Sequence, residues 1–458
     1  MKQEQNKMGT KPVKVLLLTM GLPMILSMVV QAVYNSVDSY FVSAIGEGAD
    51  EAVHALTLAF PIQMLMVAVG VGTGIGVSAW ISQYLGMNNR ERASRLAGNA
   101  IFLGVCTYGL FLLFGLFLAQ AYLRTQTGEP LVLELAGQYL SIVCIWSLGC
   151  NLFMTYEKLL QATGKGHLST IAQLAGAVAN IILDPILIFG YWGLPAMGVA
   201  GAAWATVIGQ LLSLVLGMAF HHGWNRELPF HWKDLLPEAG LIREIYQIGL
   251  PAIVMQALMS FMTYGVNIIL GQVSSDAVTA YGLYYKIQQF AFFAAFGLNN
   301  AILPLVAYNY GLGAPERVRD GVVYGTAYTV AMMALCAAVL WGFAGPIAGV
   351  FQVSEEVRML CTRALQVIPL GYLFAGANIS FQGIFQALGK GGYSLLVSLL
   401  RLVVVALPLC WLFTCLPAPE RTVWFAFPLA EAVGLIAAAL LLRTCYREKV
   451  LPLKSGRA

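Results

Sequence analysis

Twelve long apolar segments divide the chain, at about 15–43, 52–82, 95–122, 132–160, 168–190, 197–221, 245–271, 277–307, 322–344, 358–388, 393–416 and 422–443. A membrane-spanning helix takes about 20 residues, and every segment reaches that length. Lipid offers a backbone no hydrogen-bond partner, so each segment reads as helix. A β-barrel would show alternating stretches of about ten residues instead. Only 10% of residues are charged and mean hydropathy is +0.74, against about 25% charged in soluble proteins. A soluble fold and a disordered chain are both excluded. The first segment is too long for a signal-peptide core, and no small-residue cleavage site follows a short one, so it reads as a permanent span.

The positions of charge give the orientation. Of 26 Lys and Arg residues, 20 fall at the ends or in alternate loops. Lys2, Lys7, Lys11 and Lys14 precede the first segment, Arg90, Arg92 and Arg95 follow the second, and Arg443, Arg447, Lys449, Lys454 and Arg457 close the chain. Positive loops stay in the cytoplasm, which places both termini there. The net charge of +4 is too small and too dispersed to imply a nucleic-acid partner.

The chain also repeats itself. Gly21-Leu22-Pro23 recurs as Gly249-Leu250-Pro251, and Gln161-Ala162-Thr163-Gly164-Lys165-Gly166 as Gln386-Ala387-Leu388-Gly389-Lys390-Gly391. Six helices separate the copies, so both halves keep one orientation and are related by an axis along the membrane normal, as suits a transporter. The expected organisation is an all-α polytopic membrane protein: a six-helix lobe at 1–221, a cytoplasmic linker at 222–243 carrying Pro229 and Pro237, and a second six-helix lobe at 244–458.

Signatures of enzymes are missing. Gly164-Lys165 and Gly389-Lys390 lack the remaining P-loop residues, and no His-Glu-x-x-His occurs. Gly70, Gly72, Gly74 and Gly76 miss the dinucleotide spacing and suit close helix packing. The eight cysteines show no metal-ligand spacing and read as small apolar fillers. No cofactor is expected, and without a nucleotide site any pumping draws on an ion gradient.

Ionisable groups at membrane depth carry the information, because each is costly there. The acids are Asp38, Asp184 and Glu431; Glu157 sits at a helix end beside Lys158 and reads as structural. Asp38 follows Tyr34-Asn35-Ser36 in the outer half of the first segment, beyond the break expected at Pro23. Asn180 and Asp184 are four apart and share a helical face. Pro185 lacks an N–H and frees the carbonyl of Ile181. Carboxylate, amide and carbonyl oxygens suit a small hard cation, and the same carboxylates could carry a proton. The second half is a control. Asn267 stands opposite Asp38, and Ala406-Leu407-Pro408 opposite Leu183-Asp184-Pro185. The kink is kept and both acids are lost, so coupling is expected in the first half.

Three ionisable groups remain in the second half. Lys286 falls among Tyr281, Tyr284, Tyr285 and Gln288, where it either lines a wet cavity or anchors the bundle. Arg401 and Glu431 lie in neighbouring segments, as a structural ion pair or a relay. A soft, adaptable substrate lining is read at Met255, Met259, Met262, Tyr264, Tyr281, Lys286 and Gln288; core packing or lipid contact is the alternative for each.

Gly-Leu-Pro opening the first segment, Asn35-x-x-Asp38, the Gln-Ala-Thr-Gly turn, Asn180-x-x-x-Asp184-Pro185 and Gly201-Ala202-Ala203-Trp204-Ala205-Thr206 together resemble the multidrug and toxic compound extrusion (MATE) family, over nearly the whole chain. Acids confined to the first half resemble its DinF-like branch. The resemblance implies a V-shaped pair of six-helix lobes in the bacterial cytoplasmic membrane, expected as a monomer. It implies export of lipophilic, often cationic drugs or toxic metabolites in exchange for H⁺ or Na⁺. Carried over by motif, Asp38, Asn180, Asp184 and Thr206 would form the cation site, with a backbone carbonyl near Ala202, and Pro23 and Pro185 would act as hinges. A lipid-linked oligosaccharide flippase of related architecture is the alternative, but it should present several cations to a pyrophosphate, and only Lys286 and Arg401 are available.

Overall fold

The computed structural model describes residues 6–45, 48–351 and 353–454. Eleven helices are long and apolar enough to cross a membrane, and one bent pair brings the number to twelve. In chain order they are α1 (Val13–Ser43), α2 (Ala49–Gly86), α3 (Arg90–Arg124), α4 (Pro130–Ile145 with Leu148–Ala162), α5 (Gly166–Phe189) and α6 (Gly198–Trp224). The second set is α7 (Ala239–Gly271), α8 (Ser275–Gly311), α9 (Pro315–Gly342), α10 (Glu355–Ala387), α11 (Gly391–Thr414) and α12 (Pro419–Leu453). No strand occurs among the described residues. The all-α, twelve-span expectation holds.

The two sets end corresponding helices in the same way. Gly164 and Gly389 have φ of +77° and +76°, a left-handed conformation that glycine adopts without steric cost. Lys165 N–H donates to Leu160 O at 2.8 Å, and Lys390 N–H to Phe385 O at 2.7 Å. Both turns are therefore glycine C-caps that satisfy the last carbonyls of a helix. The phosphate-like look of Gly-Lys has this origin. The fourth helix of each set is also irregular: α4 bends by 44° at its break, and α10 passes through a 3₁₀ turn at Ile368–Gly371, where Pro369 supplies no N–H.

Close packing rests on glycine. In α2, Gly70 lies against Met154 and Gly74 against the stem of Lys158, so the alternating glycines do admit a neighbouring helix. A Cβ on Gly209 would fall 2.6 Å from Gly176 O, and one on Gly201 would fall 2.6 Å from Leu187 O. α5 and α6 thus touch backbone to backbone, the tightest way to seat small residues at a membrane helix interface.

The chain resolves into two compact units. The N-terminal unit holds Leu26–Leu85 and Asn89–Tyr246; the C-terminal unit holds the described residues up to Ile25, Gly86–Asn88 and the chain from Gln247 onward. The division crosses α1 between Ile25 and Leu26, two residues beyond Pro23, although α1 is one continuous helix. Within the N-terminal unit the stretch after α6 is strapped to α3. Asn99 donates to Asp234 O at 3.3 Å and Leu236 O at 3.2 Å, and its own oxygen accepts from Glu238 N–H at 2.8 Å. Glu244 ties the same face together by accepting from Tyr84 Oη at 2.6 Å and Arg92 at 2.5 Å.

Candidate cation site

One face of α1 is polar where lipid chemistry argues against it. Ser27, Gln31, Tyr34 and Asp38 follow at helical spacing. Ser27 hydrogen-bonds Gln173 of α5, and Gln173 donates to Gln31 Oε1 at 2.8 Å. Further along α5 stand Asn180 and Asp184. Asp184 is 0% exposed and Asn180 2%. Asn180 Nδ2 faces Asp184 Oδ1 and Thr206 Oγ1, each at 3.4 Å, longer than a firm hydrogen bond. Thr206 and Ala202 are buried on α6, one turn apart. Of the expected motif residues, the side chains of Asn35, Ser36 and Ser39 lie outside the described residues.

Asp38 and Asp184 lie within electrostatic reach of one another, and so do Tyr34 and Tyr139 with both acids. Tyr139 is held from α2 by Gln63, which donates to its hydroxyl at 3.1 Å. Three buried oxygens remain without a hydrogen-bond partner: Asp38 Oδ1, Asn180 Oδ1 and Asp184 Oδ2. Buried acceptors are usually partnered; Asn151 Oδ1 and Asn225 Oδ1 are among others in the chain that are not, but the three here fall on two acids within electrostatic reach of one another and on an amide facing one of them. Three unpartnered oxygens on two acids and an amide fit a donor from outside the chain, either a proton or a hard cation. Among the described residues no group of three or more His, Cys, Asp or Glu could hold a metal ion. A cation here would have to draw on neutral oxygens as well as the two carboxylates.

Sequence reasoning found the acids because their charge stands out in an apolar run. It missed Gln31, Gln63, Tyr139 and Gln173, which hold the acids' surroundings. For Gln31 the signal was the i, i+4, i+7 polar spacing from Ser27 along α1, which is uncharged and easily overlooked; the other three lie on α2, α4 and α5 and had no such signal. Glu157 and Lys158 form a buried structural cluster through Gln161, which accepts from Lys158 Nζ at 2.9 Å and donates to Glu157 at 2.8 Å.

In the C-terminal unit Arg401 of α11 pairs with Glu431 of α12. Asn378 donates to the second oxygen of Glu431 at 2.8 Å. The residues read as a substrate lining are dispersed. Met262 is in the core of the unit, and Tyr281, 1% exposed, stacks on Phe427 with ring centroids 5.6 Å apart. For these two the structure shows packing within the unit, the alternative that the sequence left open. Met259 is partly buried against the same core. Met255 receives Gln386 Nε2 at 3.9 Å, and Gln288 is half-buried. Tyr264 is 66% exposed and Lys286 is exposed. A cavity of about 480 Å³ over the start of α10 is lined by Gly345, Glu355, Arg358, Met359, Thr362 and Arg363, and includes none of them.

The chain is similar to known proteins along nearly its whole length. The MatE family model matches residues 23–186 and 251–412, one copy on each half. The multidrug export protein MepA of Staphylococcus aureus (strain MRSA252) is 25% identical over 442 residues, covering 96% of each chain. A MATE protein crystallised in a straight conformation superposes with a TM-score of 0.91 at 22% identity, over 99% of this chain and 100% of that one. An outward-facing multidrug resistance MATE family transporter of the MOP superfamily gives 0.91 at 21% identity, again over 99% and 100%. With the family model on both halves and the fold shared end to end, the chain belongs to the MATE family of multidrug efflux transporters.

Proposed function

We propose that the chain is a secondary active exporter of lipophilic, often cationic small molecules, driven by inward flow of H⁺ or Na⁺ through the Asp38–Asp184 cluster. The observation that carries this reading is the set of unpartnered oxygens on Asp38, Asn180 and Asp184. Left empty, they cost the chain free energy; occupied by a cation or protons, they are satisfied.

The cycle is alternating access. The cation enters from outside and reaches Asp38 and Asp184. α1 bends near Pro23 and the drug leaves outward. The division of the chain two residues past Pro23 supports a hinge there. One proton supplies about 2.3 kcal/mol per 100 mV and about 1.4 kcal/mol per pH unit. That is enough for roughly a thousandfold gradient of a neutral drug. Met255, Met259 and Gln288 are the remaining candidates for substrate contact. The protein is a multi-pass membrane protein, and the bias of Lys and Arg supports cytoplasmic termini in a bacterial plasma membrane.

A flippase for a pyrophosphate-linked lipid would need cations free to face phosphate. Arg401 is already committed to Glu431, which disfavours that alternative. The decisive experiment is drug transport in proteoliposomes with Na⁺ and H⁺ gradients imposed separately. Uphill drug movement under at least one gradient is expected; drug movement indifferent to both would refute the antiport reading.

A further inference from the structure

The repeat offset of 225 residues that relates the two glycine turns carries further. Ala205-Thr206-Val207-Ile208-Gly209 of α6 stands 225 residues before Ala430-Glu431-Ala432-Val433-Gly434 of α12. The same offset relates Gly176 of α5 to Arg401 of α11, and it shortens by two further along these helices, where Leu407 stands opposite Asp184. The contacts agree with the register. Gly209 lies against Gly176, and Gly434 lies against Arg401, whose Cβ is 2.9 Å from where a Cβ on Gly434 would stand. Glu431 therefore occupies the place of Thr206, and Arg401 that of Gly176, each within its own unit.

The two places differ in how their carboxylates are partnered. In the N-terminal unit, oxygens of Asp38, Asn180 and Asp184 have no partner. In the C-terminal unit, Glu431 receives Arg401 on one oxygen and Asn378 on the other. Arg401 is 3% exposed, and its stem fits because Gly434 has no side chain. Arg401 also falls within a π-helical stretch, Leu400–Val405, of α11. Such stretches occur mostly as single-turn bulges inside α-helices and are frequent at functional sites; Phe114–Leu118 of α3 is another. Arg401 Nε and Asn378 Oδ1 have no partner, but both carboxylate oxygens of Glu431 do, and carboxylate and guanidinium together are neutral, so the carboxylate needs no cation from solution.

We propose that the C-terminal unit holds a cation site whose cation is built in: the guanidinium of Arg401, tethered to the chain, occupies the place beside Glu431 that an exchangeable ion would otherwise fill. That unit is thereby closed to ion exchange, and exchange is left to the N-terminal unit. The word site rests on the functional reading above, but occupancy at Glu431 is measured separately from it.

A hydrophobic carbodiimide attacks buried carboxyl groups in their protonated form and leaves a guanidinium-paired carboxylate alone. Full-length protein in lipid nanodiscs is treated at neutral pH, and labelled peptides are counted by mass spectrometry. Glu431 should stay unlabelled in the parent protein and in Arg401→Lys, which keeps a cation in place. In Arg401→Ala, labelling of Glu431 should rise about tenfold or more. Guanidinium chloride, far below denaturing concentrations, should suppress it by refilling the vacated place. Strong labelling of Glu431 in the parent protein overturns the proposal, whether or not the alanine variant folds. So does an unlabelled Glu431 in a folded Arg401→Ala, or labelling there that guanidinium does not reduce. Labelling at Asp38 and Asp184, read in the same digest, tests the exporter reading independently.

Discussion

Gly209 meets Gly176 so closely that a Cβ on Gly209 would stand 2.6 Å from the Gly176 carbonyl oxygen and 3.1 Å from Asn180 Cβ. The contact sets how near α6 can bring Thr206 to Asn180. Gly209→Ala should therefore destabilise the protein by about 1–3 kcal/mol through overpacking and weaken coupling as well. Gly109→Ala is the control, since nothing lies within 4 Å of the added carbon, and a helix gains slightly from alanine. Thermal unfolding followed by size-exclusion fluorescence separates the two. Equal melting temperatures would remove the packing argument.

Asp38→Asn and Asp184→Asn should each abolish gradient-driven export while leaving the protein folded in the membrane. Asn267→Asp should not rescue Asp38→Asn, because its unit offers no second acid to match Asp184. Drug resistance of cells carrying each variant is the measurement. Full resistance in both single variants ends the case for this cluster.

Proton and Na⁺ should compete, since Na⁺ needs the carboxylates ionised. The sign follows: lowering the pH fills the acids with protons, and apparent Na⁺ affinity falls. Thr206→Ala removes an oxygen without changing a titrating group, so it should weaken the Na⁺ response more than the H⁺ response. Tracer uptake as a function of pH reads both effects. A Na⁺ affinity indifferent to pH would show that the two ions do not share the site.

Orientation is checked by labelling. In a background stripped of the exposed Cys106 and Cys415, cysteine at Asp50 or Ser354 should react with an impermeant maleimide in intact cells, and one at Arg90 should not. External labelling at Arg90 would invert the topology drawn from charge.

Asn99→Ala should free the strap after α6. Three backbone groups lose their partner, at about 1–3 kcal/mol for each one left buried and unpaired. Trypsin should then cut faster at Arg226 and Lys233, read by gel over time. Unchanged cleavage would show that the strap is held by packing alone.

Much of this architecture is legible in the sequence because lipid is a strict solvent. It demands apolar length at each span and makes Asp38 and Asp184 conspicuous. The shell around them is less legible. Gln31 and Gln173 are uncharged, and their partnership joins residues 142 apart in the chain. Asn99 is invisible for the same reason: its partners lie 135 to 139 residues away. Tyr281 was open to two readings, since an aromatic ring looks alike in a core and in a lining until its neighbours are known. The continuity of α1 through Pro23 was also unforeseen; a proline costs a helix one bond, and flanking turns can carry the axis onward.

The twin caps at Gly164 and Gly389 have a consequence for reading other chains of this kind. A shift of one residue there would strand carbonyls and force a side chain into a left-handed backbone, so duplication can alter almost anything except this punctuation. Alignment of one half on the other, or of either on a distant relative, is best anchored at these full stops. Anchored on the acids, it would search the second half for partners that the chain has replaced.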